Sequence, residues 1–370
     1  MRYFFIVGEA SGDRHTARLI KALKQLQPDA QISYWGGEAM EATTQIKPRV
    51  HLRELAFMGF WEVAKNIFTI RRLFRKAKED ILNFQPDLLI LVDYPGFNLR
   101  IAKWAKSRGF KIVYYISPQL WAWNVERVKI VRKYVDKMLV ILPFEEEFYQ
   151  KYGVKAVYTG HPLVEAIQSF QPNDSFMMQH NITKDIIACV PGSRKQEISK
   201  MLPVMLEAAK DFFECYQVVI PVVNHIDIKH YQSAIPKSYR EHVKLIKGAY
   251  YDILSHAKAA MVTSGTATLE SALFGVPQVV GYKSDFLSYQ IARRLIKVPF
   301  ISLVNLIAGE KIVEELIQDQ CNPKSLKNEI LKLLAKPDEV KMGYKALTSK
   351  IGDLKAGEKA AREILGLTQK

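Results

Sequence analysis

An aspartate that directly follows five apolar residues is the first candidate for chemistry in this chain: Leu88-Leu89-Ile90-Leu91-Val92 runs into Asp93, followed by Tyr94-Pro95-Gly96-Phe97-Asn98. The run reads as a buried strand and the Pro-Gly pair as a turn, so the carboxylate stands where charge is costly. Two uses fit such a place: a paired or capping carboxylate, or a general base whose pKa is raised by apolar surroundings.

Two further junctions repeat one pattern. Tyr3-Phe4-Phe5-Ile6-Val7 stops at Gly8-Glu9-Ala10-Ser11-Gly12-Asp13, and Ile186-Ile187-Ala188-Cys189-Val190 stops at Pro191-Gly192-Ser193-Arg194. Each reads as strand, small-residue turn and helix start, where free amides and the positive end of a helix dipole favour phosphate or carboxylate. Neither is a Walker loop or a dinucleotide G-x-G-x-x-G fingerprint. The plain reading of the first is a tight turn capped by Ser11 or Asp13. In the second, Gly192 permits close approach, Ser193 offers a hydroxyl and Arg194 a planar fork suited to phosphate oxygens.

Thr263-Ser264-Gly265-Thr266-Ala267-Thr268-Leu269-Glu270 places small hydroxyl residues at a helix start. Amides at Ser264, Gly265 and Thr266 can cradle a diphosphate, and Glu270, one turn on, can accept from two ribose hydroxyls; a Ser/Thr cap with a reach-back Glu is compatible with the same use. Ser117-Pro118-Gln119-Leu120-Trp121-Ala122-Trp123 is a loop from which at least one indole packs into the core. His225-Ile226-Asp227 is too weak a set to hold a metal, so a metal-free mechanism is expected. Cys189, Cys215 and Cys321 are scattered and read as reduced thiols in a cytosolic protein.

The elements that must carry these residues alternate strand and helix. Strands are expected at 3–7, 31–35, 87–92, 111–115, 137–141 and 156–159, then at 186–190, 217–222, 243–246, 259–262 and 277–281. Helical patterns fall at about 14–26, 59–83, 98–108, 125–135, 145–152, 197–214, 266–274 and 284–296. This is an α/β rhythm of two Rossmann-like, doubly wound domains facing each other across a deep cleft. Residues 1–165 form the first domain, the polar stretch Phe170-Gln171-Pro172-Asn173-Asp174-Ser175 a linker, and 175–345 the second domain. Residues 346–370 read as a C-terminal helical tail packing back on the first domain. His161 falls at the hinge and reads as structural.

The formal net charge of +15 asks for an anionic partner: nucleic acid, an anionic membrane surface or acidic substrates. No nucleic-acid-binding motif is present. No run reaches the roughly 18 apolar residues of a spanning helix. Residues 57–78 instead combine Phe57, Phe60, Trp61, Val63, Ile67, Phe68, Ile70 and Phe74 with Lys65, Arg71, Arg72, Arg75, Lys76 and Lys78. That composition suits a helix lying in an anionic membrane interface, with Phe60, Trp61 and Phe68 meeting lipid and Arg71, Arg72 and Arg75 meeting headgroups. A buried helix with a solvated basic rim is the competing reading.

Taken in order, Gly8–Asp13, Asp93–Asn98, Ser117–Trp123, Pro191–Arg194, Ser264–Glu270 and Asn305-Leu306-Ile307-Ala308-Gly309 resemble the lipid-A-disaccharide synthase family over nearly the whole chain. The resemblance implies a GT-B-type fold and an inverting transfer from UDP-2,3-diacylglucosamine to 2,3-diacylglucosamine 1-phosphate (lipid X), releasing UDP. No cofactor or metal is implied. Asp93 matches the family's catalytic carboxylate. Ser193, Arg194, Glu270 and Asn305 match its nucleotide site, and the Gly8–Asp13 turn belongs to the acceptor-side domain. With them, Gly192, Ser264, Gly265 and Thr266 are read as nucleotide-binding, and Glu9, Ser11, Gly12 and Asn98 as facing the acceptor. Gly96 departs from a pattern that carries Asp there, so that position is not essential chemistry in this chain. His15 lies outside the pattern. The implied location is the cytoplasm, peripherally on the inner face of the cytoplasmic membrane; the oligomeric state stays open, a homodimer included. Another UDP-sugar glycosyltransferase of this fold, or a UDP-sugar epimerase, is the alternative, because fold alone does not fix function.

Overall fold

Tyr3, Phe4, Phe5, Ile6 and Val7 are all shut off from solvent, as a strand in the middle of a helix-covered parallel sheet must be. In the computed structural model they belong to β1 (Arg2–Val7). Residues 1–55, 67–285, 289–290, 293–294, 298–352 and 355–368 are described. They divide into two units, Met1–Glu165 with Asp353–Lys370, and Ala166–Gly352.

The first unit continues through α1 (Ala10–Leu26), β2 (Gln31–Gly36), α2 (Glu38–Thr44), β3 (Val50–His51), α3 (Ile67–Phe84), β4 (Leu88–Val92) and α4 (Pro95–Ser107). It then runs through β5 (Ile112–Tyr115), α5 (Val128–Tyr134), β6 (Lys137–Val140), α6 (Pro143–Lys151) and β7 (Ala156–Tyr158). Its strands are all parallel in the order β3-β2-β1-β4-β5-β6-β7. Alternation along β1 sends Phe4 and Ile6 to one face with Trp35, Leu89, Leu91 and Tyr114. Tyr3, Phe5 and Val7 go to the other, with Leu19, Ile20 and Leu23 of α1. Each large side chain so buried contributes about 1.5–3 kcal/mol.

The second unit contains β8 (Asp185–Val190), α7 (Lys195–Ala209), β9 (Tyr216–Val222), β10 (Val243–Lys247), β11 (Ala257–Thr263), α8 (Thr266–Leu273), β12 (Gln278–Tyr282), α9 (Leu303–Ala308) and β13 (Glu315–Ile317). Its strand order is β10-β9-β8-β11-β12-β13, again all parallel. The last helix, α10 (Ala356–Thr368), belongs to the first unit, where Ala360, Ala361 and Ile364 pack with Leu19, Ile20 and Leu23. Gly357 lets it lie close to α1: a Cβ there would stand 3.3 Å from the Arg18 carbonyl.

In both sheets the order in which strands are added reverses at one place, between β1 and β4 in the first and between β8 and β11 in the second. Ligands of open α/β sheets bind beyond the carboxyl ends of the strands at such a switch point. The strand order therefore singles out two pairs of turns: Gly8–Glu9 with Asp93–Tyr94, and Pro191–Arg194 with Ser264–Thr266.

Two expectations change here. The helix expected from residue 14 starts at Ala10, so Ser11, Gly12 and Asp13 lie in its first turn. Neither Ser11 nor Asp13 caps it. The N-cap is Glu9, and the Asp13 carboxylate accepts from the Gly37 and Ala39 amides at 2.7 and 2.9 Å, tying α1 to the start of α2. The strands β3 and β13 were not anticipated; at two and three residues they leave no apolar run to read.

Candidate functional site

At the first switch point the backbone is bent against its own preference. Asp93 and Tyr94 have φ of 44° and 50°, a left-handed pair without glycine. Such residues cost about 1–3 kcal/mol each and persist only where the surroundings force them. Here the Asp93 amide donates to the Tyr115 carbonyl at 3.1 Å. The Asp93 carbonyl accepts from the Tyr114 hydroxyl and from Asn98 Nδ2. The Tyr94 ring stacks on Phe97 and fills the space above Gly8, where a Cβ would fall 2.2 Å from the ring. Gly8 thus makes room for a side chain.

The Asp93 carboxyl is half-buried. Burial first, and then the Glu9 charge, push its pKa up to about 7, against the pull of a hydrogen bond from the Tyr94 amide. A carboxyl poised there can hold or release a proton near neutrality, as a general base requires. Asn98 lies differently from its expected place on the acceptor side. It is fully buried, with Nδ2 donating to the Asp93, Val92 and Ile6 carbonyls, so it holds the turn from beneath. Gly12 is buried too, facing Val7 and Val92. Glu9 and Ser11 are half-exposed at the start of α1.

One residue of this edge escaped sequence reading. Glu145, in the first turn of α6, is almost fully buried. Its carboxylate accepts from the Leu142 amide at 3.0 Å and from Trp121 Nε1 at 3.0 Å. Burial nevertheless raises its pKa to about 7. Ser117 shares a 2.8 Å hydrogen bond with Tyr149, so the segment is tied to α6 at Ser117 and at Trp121. Only the 24-residue gap between Glu145 and Trp121 hid this.

His161 is buried, and desolvation lowers its pKa to about 4. His15 falls to about 3, through burial and then the nearby His161, Arg18 and Arg14 charges. Both imidazoles are neutral at physiological pH.

At the second switch point the turn is built for backbone. Gly192 has a φ of 107°, and a Cβ there would meet Glu197 Oε2 at 2.4 Å. That carboxylate accepts from the Ser193 and Arg194 amides at 3.0 and 3.2 Å, while its Oε1 takes the Arg194 guanidinium at 3.0 Å. The amides expected to receive an anion therefore already hold one, supplied by α7. Arg194 remains exposed at the rim. After β11, Gly265 and Thr266 are exposed at the start of α8, and Ser264 Oγ donates to the Ile301 carbonyl at 2.7 Å. Glu270 accepts from the Tyr251 hydroxyl at 3.1 Å.

Asn305 departs from its expected role as a nucleotide contact. It is fully buried; its Nδ2 donates to the Val313 carbonyl and Glu315, and its Oδ1 accepts from the Ile312 and Val313 amides. Every polar atom of that side chain is engaged, so it shapes the 302–313 loop from inside.

Phe60 and Trp61 lie outside the described residues. On α3, Phe68 is 79% exposed, and Arg71, Arg72 and Arg75 are exposed with it. Phe74, on the same helix, turns inward and stacks on Phe97 at 4.2 Å. No described helix is long and apolar enough to cross a membrane. Among the described residues no three His, Cys, Asp or Glu side chains gather as metal ligands would. The three cysteines are free; burial pushes the Cys189 thiol up to about 12.

Two Rossmann-like units, each with a candidate site at its switch point, define a two-domain α/β protein. Comparison agrees on the fold. The UDP-N-acetylglucosamine 2-epimerase from Neisseria meningitidis, bound to UDP-N-acetylglucosamine, superposes with a TM-score of 0.67 at 15% identity, covering 99% of this chain and 100% of that one. The calicheamicin glycosyltransferase CalG4 gives 0.60 at 17%, over 99% and 97%. Sequence comparison goes further. Residues 3–365 match the family model for lipid-A-disaccharide synthetase. The lipid-A-disaccharide synthase of Syntrophus aciditrophicus (strain SB) is 40% identical over 373 residues, 99% of this chain and 97% of that protein. The chain belongs to the lipid-A-disaccharide synthase family. It is a glycosyltransferase of lipid A disaccharide synthesis.

Proposed function

We propose that the chain transfers 2,3-diacylglucosamine from UDP to a hydroxyl of 2,3-diacylglucosamine 1-phosphate, with inversion, and that Asp93 is the base. The observation that carries this reading is the Asp93 carboxyl, half-buried at the β1/β4 switch point with its pKa pushed up to about 7. The acceptor oxygen attacks the anomeric carbon and its proton passes to Asp93. The bond from that carbon to the diphosphate breaks, its electron pair leaving with UDP. A single displacement inverts the centre.

The nucleotide side falls to the second unit. Arg194 and the amides of Gly192, Ser193 and Arg194 meet the diphosphate once Glu197 yields them, with the Ser264, Gly265 and Thr266 turn beside them in the β8–β11 switch. Glu270 takes the ribose. Glu9 and Ser11 face the acceptor. Incubating the pure protein with both substrates and detecting a tetra-acylated disaccharide phosphate by mass spectrometry tests the reading; no such product overturns it.

Both substrates are acylated, so the chain works at the inner face of the cytoplasmic membrane. Exposed Phe68, beside Arg71, Arg72 and Arg75 on α3, supports docking there, with Phe60 and Trp61 as further lipid contacts. A Phe68→Ser, Arg71→Glu, Arg75→Glu variant should lose co-sedimentation with anionic vesicles. Undiminished binding would reject this surface.

A further inference from the structure

The segment after β5 ends in a cation whose use is unassigned. Ile116 to Arg127 leaves the carboxyl edge of the first sheet one strand away from Asp93, because β5 pairs with β4. The segment is anchored: Leu120 and Ala122 are buried, Trp121 is hydrogen-bonded to Glu145, and Ser117 to Tyr149. From this base Trp123 points outward, 43% exposed, and the Arg127 guanidinium lies over its ring, 5.1 Å from the centroid. Among the described residues no carboxylate stands within 4 Å of Arg127. Its neighbour Glu126 is taken by Lys129 at 2.6 Å.

Arg127 is also electrically close to the base. Burial, then the Asp93 and Tyr149 charges, raise the Tyr114 hydroxyl far above its usual range, and Arg127 is the one cation opposing them. That hydroxyl is the one that donates to the Asp93 carbonyl. A guanidinium stacked on an aromatic face keeps its N–H edges free, and those edges fit phosphate oxygens.

We propose that Arg127, propped on Trp123, receives the phosphate of the acceptor and sets the preference for a phosphorylated alcohol. This rests on the reading of Asp93 as the base for acceptor attack. The test is a two-by-two comparison. Wild type and Arg127→Gln are assayed with 2,3-diacylglucosamine 1-phosphate and with its dephosphorylated counterpart, in nonionic micelles at saturating UDP-diacylglucosamine.

Wild type should favour the phosphorylated acceptor, and Arg127→Gln should lose about 10- to 100-fold of that preference, mainly through KM. Arg127→Lys should recover part of it. Equal losses with both acceptors would mean a structural role, and undiminished preference would mean no contact; either overturns the proposal. An effect that appears only after anionic phospholipid is added would assign the cation to a headgroup and overturn it too. If wild type makes no disaccharide from either acceptor, the parent reading itself fails, and that result is distinct from all the others.

Discussion

The two switch points solve the same topological problem with opposite materials. In the first unit the bent turn is made of side-chain-bearing residues, Asp93 and Tyr94, held at positive φ by Tyr114, Asn98 and Tyr115. In the second it is made of Gly192, whose amide neighbours carry the interaction. At Asp93 and Tyr94 the strain of non-glycine left-handed residues is offset by hydrogen bonds to that turn. At Gly192 a Cβ would run into the Glu197 carboxylate that receives the Ser193 and Arg194 amides.

The largest expected break in this contrast is Asp93→Asn. Turnover should fall by about 10²–10⁴-fold, with UDP affinity by calorimetry unchanged. The same variant carries a stability signature. The folded carboxyl titrates near 7, above its unfolded value, so its contribution is complete at low pH and lost as pH rises through 7. Thermal melts of Asp93→Asn should match wild type near pH 4 and exceed it at pH 8; equal melts at both would deny the buried carboxyl.

Gly192→Ala comes next. It forces a methyl onto Glu197 at a φ of 107° and should cost the second unit about 1–3 kcal/mol in urea unfolding. Gly96→Ala, with nothing within 4 Å of the added carbon, is its control and should cost nothing. Arg194→Ala should then raise KM for the UDP-sugar roughly tenfold, leaving kcat nearly intact. The smallest effect is Glu9→Gln. Removing that charge should move the acidic limb of kcat/KM, expected near pH 7, downward by less than one unit. An unmoved limb would detach Glu9 from Asp93.

The place of Asp93, a half-buried carboxyl just past a strand end, was legible because a charge closes a five-residue apolar run. The larger strands were legible for the same reason: they are continuous runs, and the structure places their ends within two residues. The roles of Asn98 and Asn305 were not. Type and spacing mark both as polar residues near a turn, and only depth shows that their amides serve the backbone. The inward turn of Phe74 could not be read, because aromatic residues at helical spacing look alike whether they face outward or pack on Phe97. Glu145 stayed hidden because its partner indole arrives from another strand's loop.

The helix α10 gives the ribosome's order of work a consequence. Ala360, Ala361 and Ile364 cover the same apolar face of α1 that residues 1–26 present almost at once. Some 330 residues separate the two, so at ordinary elongation rates that face waits on the order of 15–65 seconds for its cover. Until α10 is made, the apolar face of α1 that Ala360, Ala361 and Ile364 cover has no partner from that helix.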